Sequence, residues 1–292
     1  MKILIIGSTG MLGNVLVEEA LSRGHEVVGA SRSNADILLD FNDINSLVHA
    51  VHSASPEMII NAGALVSLDE CERDPAKAYI INARPAAVLA RLAAERNIYF
   101  VQISTDHYYS GDHKILHDEA SPVRLLNEYA RTKYAGEIYA LTHSRSLIVR
   151  TNIVGFKNRR DSLTFIEWVI DSLKSERKMT LFYDFYTSSM TARQLSKVLL
   201  DTIETREVYG TINIASREAS SKKRFIECFA QRFGYRLMDP ECASVHSLSN
   251  IRRADSLGLD VSKVERIVGY SMPNLDEVID QLYAEYQEEF RT

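Results

Sequence analysis

Tyr129 and Lys133 stand four residues apart in Tyr129-Ala130-Arg131-Thr132-Lys133. That separation stacks two side chains about one helical turn apart on one face. Upstream, Ser104-Thr105-Asp106 follows directly on the apolar run 98–103, so a hydroxyl is delivered at the C-terminal end of a buried strand. A hydroxyl, a phenol and an ammonium can together hold a carbonyl oxygen and pass it a proton. With a nicotinamide beside them they make a site for carbonyl reduction. Alone, the Tyr/Lys spacing is also that of an amphipathic surface pair, so the surrounding elements decide.

The start of the chain supplies a place for the nicotinamide carrier. Residues 3–6 are a short continuous apolar run, as in a parallel strand covered on both faces. Gly7-Ser8-Thr9-Gly10-Met11-Leu12-Gly13 follows, and then an amphipathic segment, Asn14 to Arg23. Gly7 allows the tight turn, Gly10 lets backbone approach a diphosphate, and Gly13 lets the helix pack close to the strand. The helix N-terminus points free N–H groups at the phosphates. The spacing is G-x-x-G-x-x-G rather than G-x-G-x-x-G; position between strand and helix carries the reading. A second strand, 26–30, ends in Ser31-Arg32-Ser33. An acid there would hold the adenosine ribose 2′-hydroxyl, but none comes before Asp36, and Arg32 offers a planar cation for a 2′-phosphate. NADP(H) is therefore preferred, with NAD(H) still admissible; the competing reading of Arg32 is a solvated loop arginine. Asp40-Phe41 precedes a helical stretch, 44–52, and would meet the adenine unless Asp40 caps that helix.

Residues 58–60 read as the third strand, with Asn61-Ala62-Gly63-Ala64 at its C-terminal end, small enough for backbone to lie beside a cofactor. Residues 69–75 read as a polar turn. Pro75 suits the first turn of one long helix to about Arg96. Asn82, inside it, either bridges neighbouring segments or is a plain surface amide. The strand 98–103 is followed by a loop, 108–122, and by the helix carrying Tyr129 and Lys133 to about His143. A fifth strand, 147–149, ends at Arg150-Thr151-Asn152. This alternation means α/β: a Rossmann-like doubly wound parallel sheet with ligand at the C-terminal strand ends. Residues 1–152 are the NADP-binding domain. Beyond them helices are expected over 161–174 (with the only tryptophan, Trp168), 191–204, 220–233 and 274–289, and strands over 179–182 and 211–215. Residues 153–292 are mostly a smaller C-terminal α/β substrate-binding subdomain, with a segment near 187–215 returning to the first domain.

Composition excludes other classes. The net charge of −5 is spread without a long basic run, so no nucleic-acid partner is suggested. No apolar stretch approaches a membrane span. The N-terminus begins like a signal peptide, but Gly7 and Ser8 cut it short, and it reads as a buried strand. Cys71, Cys228 and Cys242 form neither a disulfide framework nor a zinc pattern, which fits a reducing cytoplasm. His107, Asp112, His113 and His117 share one loop, but their spacing fits no metal motif; a solvated loop and no metal are expected. No nucleophile elbow with a Ser-His-Asp order appears, so a hydrolase is not indicated. The aromatics of the second half read as core.

The chain resembles the extended short-chain dehydrogenases/reductases, and within them the dTDP-4-dehydrorhamnose reductases. The stretches that carry this are Gly7 to Gly13, Asn61 to Ala64, Leu68-Asp69-Glu70-Cys71-Glu72, Ser104-Thr105-Asp106, Tyr129 to Lys133 with Gly136-Glu137, and Arg150-Thr151. Residues 184–190 and the segment from Arg252-Arg253 to Leu259-Asp260 carry it more loosely. The resemblance implies Thr105, Tyr129 and Lys133 as the catalytic set. Tyr129 gives the proton, Thr105 holds the keto oxygen, and Lys133 holds the nicotinamide ribose and lowers the phenol pKa. It implies a nucleotide-linked 4-keto-6-deoxy sugar as substrate, near Leu68, Thr105, Asp106, His107, Asn152 and Ile153, and a role in dTDP-rhamnose and polysaccharide biosynthesis. Three departures stand out. His107 replaces a usual Tyr, Ile153 a usual Trp, and Leu65-Val66 a more polar pair, so the catalytic set is intact while substrate contacts are altered. Related dehydratases carry Asp-Glu after the Thr; Asp106-His107 argues against dehydration. Two alternatives stay open: an NAD(P)-dependent nucleotide-sugar epimerase, and a non-catalytic NADP-binding regulatory subunit like that of methionine adenosyltransferase. Homodimerisation also stays open.

Overall fold

The structure, a computed structural model, describes residues 1–157, 163–204, 208–247 and 251–290. Its first half contains β1 (Lys2–Ile6), α1 (Met11–Ser22), β2 (Glu26–Ser31), β3 (Ile37–Leu38), α2 (Ile44–Ala54), β4 (Met58–Asn61), α3 (Leu68–Arg73), α4 (Pro75–Asn82), α5 (Arg84–Arg96), β5 (Tyr99–Ile103), α6 (Glu128–Ala140) and β6 (Ser146–Arg150). The second half contains β7 (Ile153–Val154), α7 (Phe165–Lys174), β8 (Thr180–Phe182), β9 (Tyr186–Thr187), β10 (Met190–Thr191), α8 (Ala192–Ile203), β11 (Gly210–Asn213), β12 (Ser220–Ser221), α9 (Lys222–Phe233), β13 (Glu241–Ala243), β14 (Ser256–Leu257), α10 (Ser262–Val268) and α11 (Leu275–Phe290). The chain divides into two compact units. Unit 1 is 1–105, 125–151 and 196–212; unit 2 is 106–124, 152–195 and 213–292. The loop 106–124 thus belongs with unit 2, and the returning segment is 196–212.

Unit 1 is Rossmann-like α/β. Its seven-stranded sheet runs β11-β6-β5-β4-β1-β2-β3, and β1 pairs in parallel with both β2 and β4. The strand order reverses at β1/β4, so the ends of β1 and β4 flank the topological switch point. The strands are short, apolar and buried on both faces, as a sheet between helix layers requires. Leu4, Ile6, Ile59, Phe100 and Ile148 pack with Leu47 and Val51 of α2 and Leu89 and Ala93 of α5. Among the described residues unit 2 holds three small sheets, β10-β7, β12-β9-β14 and β13-β8. Between α9 and α11, Phe233 stacks on Phe229 at 3.9 Å and meets Tyr283 edge-on at 5.1 Å.

Several expectations are corrected. Residues 69–75 are not a turn but contain α3, because Ser67 Oγ accepts Glu70 N at 3.2 Å. Asp69 and Glu70 in its first turn and Arg73 in its last also complement the helix dipole. The long helix from Pro75 breaks at Ala83 into α4 and α5, since Pro85 has no N–H for Ile81 O. Asp40 does not cap α2; Asp43 does, accepting Asn45 N at 2.9 Å. Helix α9 starts only after Ser221, which pairs in β12 and caps it. The 108–122 loop is not simply solvated: Tyr108, Tyr109 and His117 are buried, and His117 stacks on Tyr109 at 4.0 Å. The start of the expected helix at 161–162 lies outside the described residues. Among the described residues no helix is long and apolar enough to cross a membrane, and no group of three His, Cys, Asp or Glu could hold a metal.

The glycine turn has no room for a Cβ at Gly13. A Cβ on Gly13 would lie 2.0 Å from Gly7 O, whereas one on Gly10 would lie 3.2 Å from the same oxygen. Gly13→Ala is therefore expected to destabilise the protein by about 1–3 kcal/mol or more, with Gly10→Ala clearly milder. Urea unfolding of the two variants side by side checks the order; equal losses would contradict this packing.

Candidate active site

The N-terminal edge of the site is built from backbone. Gly7 has φ +81°, and its Cβ would meet Gly63 N at 2.8 Å, so the ends of β1 and β4 touch through two glycines. Gly7 N donates to Ala30 O, Gly10 N to Gly7 O and Ala62 N to Ile6 O, all at 2.8–2.9 Å. Thr9 N donates to Ser31 Oγ at 3.1 Å. Helix α1 begins after Gly10 with no side-chain cap, which leaves the first N–H groups, at Met11, Leu12 and Gly13, without helical acceptors. An uncapped N-terminus at a switch point suits a diphosphate.

Arg32 is exposed at the end of β2 and makes no hydrogen bond or ion pair among the described residues. Asp36 accepts Gly29 N at 2.8 Å, so one oxygen of that first acid is spent on backbone. Asp40 takes both Asn42 donors through Oδ1 at 2.9 Å. Those bonds hold its carboxyl below the usual range, helped by the charges of Arg32 and Arg84. The Phe41 ring lies over Gly63, where a Cβ would be 2.5 Å from it. Asn61 donates to Gln102 Oε1 at 2.9 Å and accepts Gly63 N at 3.2 Å. Asn82 is buried rather than a surface amide. It accepts Leu65 N at 2.8 Å and donates to Leu65 O and Thr132 Oγ1, which clamps the segment leading on from Ala64.

Thr105, Tyr129 and Lys133 all belong to unit 1 and are all buried. Thr105 follows β5, whose end is held by Ser104 N donating to Val149 O at 2.7 Å. Asn127 caps α6 by accepting Ala130 N at 2.9 Å, setting where the helix begins. Tyr129 then packs on Cys71, Ala78, Leu65 and Leu68. Lys133 Nζ donates to Ile103 O at 2.8 Å, reaching the residue two before Thr105. Burial pushes the Lys133 ammonium down to about 8, opposed by the charge of Glu137.

Glu137, one turn beyond Lys133, has a role that the sequence motifs alone did not assign. It accepts Ser104 Oγ at 2.5 Å and pairs with Arg150 of β6 at 2.8 Å. Its side chain is 1% exposed and that of Arg150 6%. Gly136 lets α6 approach α4, since a Cβ there would meet Asn82 O at 2.7 Å.

The remaining expected substrate residues lie in unit 2. Asp106 is buried, and Asn152 Nδ2 donates to its Oδ2 at 2.7 Å. Ser189 Oγ donates to Asn152 Oδ1 at 2.6 Å. Ile153 opens β7, which pairs with β10. Burial, then the charges of Lys222 and Arg253, push the His107 imidazole down to about 4, so it is neutral at physiological pH. Lys222 and Arg253 carry no periodic or motif signal that marks them from sequence, beyond the Arg252-Arg253 pair itself.

Glycine turn, switch point and strand-end polar set together define a Rossmann-like α/β protein with a dinucleotide-type edge. Residues 1–288 match the RmlD substrate binding domain family, and the chain belongs to that family. A probable low-salt glycan biosynthesis reductase, Agl14 of Haloferax volcanii, is 28% identical over 99% of both chains. A hypothetical dTDP-4-dehydrorhamnose reductase from Sulfolobus tokodaii superposes with a TM-score of 0.85 at 29% identity, over 96% of this chain and 98% of that one. A dTDP-4-dehydrorhamnose reductase from Bacillus anthracis, solved with NADP, shares the fold with a TM-score of 0.87 at 24% identity, over 98% and 100%.

Glu137→Gln would leave Arg150 buried beside an uncharged amide. The expected cost is about 3–5 kcal/mol of stability, read from the urea midpoint at constant m-value. Glu137→Gln,Arg150→Met should recover part of it, because the buried cation facing the amide is gone.

Proposed function

We propose that this protein is an NADPH-dependent oxidoreductase that reduces the keto group of a nucleotide-linked 4-keto-6-deoxy sugar, in dTDP-rhamnose or related glycan biosynthesis. The observation that carries this reading is the set of Thr105, Tyr129 and Lys133 in unit 1, buried and fixed by Ile103 O and the Glu137 network. The reductase and dTDP-4-dehydrorhamnose reductase names of its relatives support the substrate class. Its free cysteines support a cytoplasmic setting.

The residues present fit NADP. The backbone contact of Gly7 with Gly63, the uncapped α1 and the unpaired Arg32 suit the pyrophosphate and a 2′-phosphate. Bound NADPH supplies a hydride equivalent to the carbonyl carbon. Thr105 Oγ1 donates a hydrogen bond to the carbonyl oxygen, where negative charge develops. Tyr129 gives that oxygen its phenolic proton, so C=O becomes CH–OH, and the phenol is restored by solvent. Lys133 keeps two N–H groups beyond its bond to Ile103 O for the ribose hydroxyls. Its positive charge, one helical turn from Tyr129, favours release of the phenolic proton. Asp106, held by Asn152, and His107 line the sugar.

The test is NADPH oxidation with a panel of nucleotide-linked keto sugars. Tyr129→Phe is expected to lower kcat by about 10²–10⁴-fold with NADPH affinity unchanged. No turnover by wild type across the panel would refute the reading; product without NADPH loss would favour the epimerase. Because the active form of Lys133 is charged and burial holds it at about 8, the rate should fall as pH rises through about 8 and stay level below it to neutrality. A pH–rate profile checks this. Arg32→Ala should weaken NADPH binding by about tenfold or more and leave NADH binding unchanged, as read by fluorescence titration; equal effects on both would refute the 2′-phosphate contact.

A further inference from the structure

A line of hydrogen bonds ends on Asp106. Asn152 Nδ2 donates to Asp106 Oδ2 at 2.7 Å. Ser189 Oγ donates to Asn152 Oδ1 at 2.6 Å, and Thr187 Oγ1 lies 3.0 Å from Ser189 Oγ. Every member is in unit 2, and Asp106, Thr187 and Ser189 are buried. The carboxylate sets the direction of the whole line. It can only accept, so the Asn152 amide turns its NH₂ group toward Asp106 and its oxygen toward Ser189. Ser189 then gives its one hydroxyl proton to that oxygen, and Thr187 donates to Ser189.

The backbone holds the far end of the line. Thr187 lies in β9, the middle strand of β12-β9-β14, paired with Ser220 and Leu257. Side chains two apart on an extended chain share a face, which brings Thr187 and Ser189 together. Ser188 between them instead donates to Leu257 O at 3.4 Å and accepts Leu259 N at 3.0 Å. Met190 N donates to Asn152 O at 3.0 Å, so the backbones of Asn152 and Ser189 are fixed side by side. Buried polar side chains are costly unless each is satisfied, and apolar packing would avoid that demand. This line ends on no backbone carbonyl but on a carboxylate, the next residue after Thr105. Asn152 engages one of about four acceptor positions on that carboxylate, and an amide itself held from behind pins the rotation of the group.

We propose that Thr187, Ser189 and Asn152 are positioning residues that hold the Asp106 carboxylate as a fixed acceptor for a hydroxyl group of the substrate's sugar. Thr187 and Ser189 act through Asn152. An acceptor set before binding needs no ordering when the sugar arrives. That Asp106 lines the sugar rests on the reading above; the line of donors rests on the residues of unit 2 alone.

The test is calorimetric titration of the full-length protein with NADPH bound. The probes are dTDP-rhamnose against dTDP and UDP-glucose against UDP, so that each affinity ratio isolates the sugar. Ser189→Ala is expected to lower the ratio by about tenfold in a pair where the sugar contributes, with dTDP, UDP and NADPH affinities unchanged. Ser189→Thr, which keeps the hydroxyl, should restore most of it. In an Asp106→Asn background the same Ser189→Ala should change the ratio by less than about twofold, because the carboxylate it orients is gone. If Ser189→Ala does not fold, Thr187→Val reads the same ratio one bond further back, with an expected loss of about threefold. No sugar contribution in wild type for either pair, or a ratio unchanged by removing the hydroxyl, overturns the proposal. So does an equal loss with and without the Asp106 carboxylate, or a parallel loss of dTDP, UDP and NADPH affinity, the mark of a packing defect. A Ser189-dependent ratio in a protein that reduces no keto sugar would refute the reductase reading and leave the positioning role standing; turnover with an unchanged ratio would refute the positioning role alone.

Discussion

The buried carboxylate of Glu137 fixes the geometry on which the rest of unit 1 depends. Removing a carboxylate from water costs several kcal/mol, and the structure offsets this with a pair to Arg150 and a bond from Ser104. Those partners lie on two different strands, β6 and the end of β5, while Glu137 rides on α6. One group therefore sets the rotation of the helix and the position of the two strand ends beside it. Lys133 and Tyr129 lie one and two turns back on the same helix, so their placement follows from that rotation. Thr105 follows Ser104 directly. Locked supporting contacts of this kind are what a site needs to hold groups at a fixed separation.

Each unit also balances a desolvated lysine against a carboxylate, in different ways. Lys133 has Glu137 one turn away and a backbone acceptor at Ile103 O. Lys222 has Asp106 and three ring faces, with no oxygen acceptor of its own among the described residues. The first ammonium gives one of its three donors to backbone; the second is attracted by ring faces but not hydrogen-bonded among the described residues.

Much of unit 1 was legible in the sequence because its signals are local. A four-residue apolar run, a glycine turn and an amphipathic stretch specify β1, the turn and α1 without reference to anything distant. Positions four residues apart on a helix place Tyr129 and Lys133 together whatever else the chain does. What escaped is non-local or depends on caps. The helix α3 hides in a polar stretch that has no apolar period; Ser67 and the charge order around it hold it. The break at Ala83 comes from Pro85, which interrupts a pattern otherwise continuous from Pro75 to Arg96. Glu137 with Arg150 and Asn82 with Leu65 join residues 13 and 17 positions apart, and no spacing rule connects them. The 108–122 loop reads as polar because its Gly, Asp and Ser residues dominate, yet Tyr108, Tyr109 and His117 turn inward.

On the proposed reading, reaction and substrate choice are carried by different packing units. Thr105, Tyr129 and Lys133 depend on the Glu137 network, all of it in unit 1. His107 and Ile153, two of the three departures from the dTDP-4-dehydrorhamnose reductase pattern, fall in unit 2, as do Asp106, Asn152 and Lys222, while Leu65-Val66 falls in unit 1. The chain passes from one unit to the other at Thr105/Asp106 and again at Thr151/Asn152. That separation lets a reductase exchange a tyrosine for a neutral imidazole flanked by cations while its proton donor stays in place.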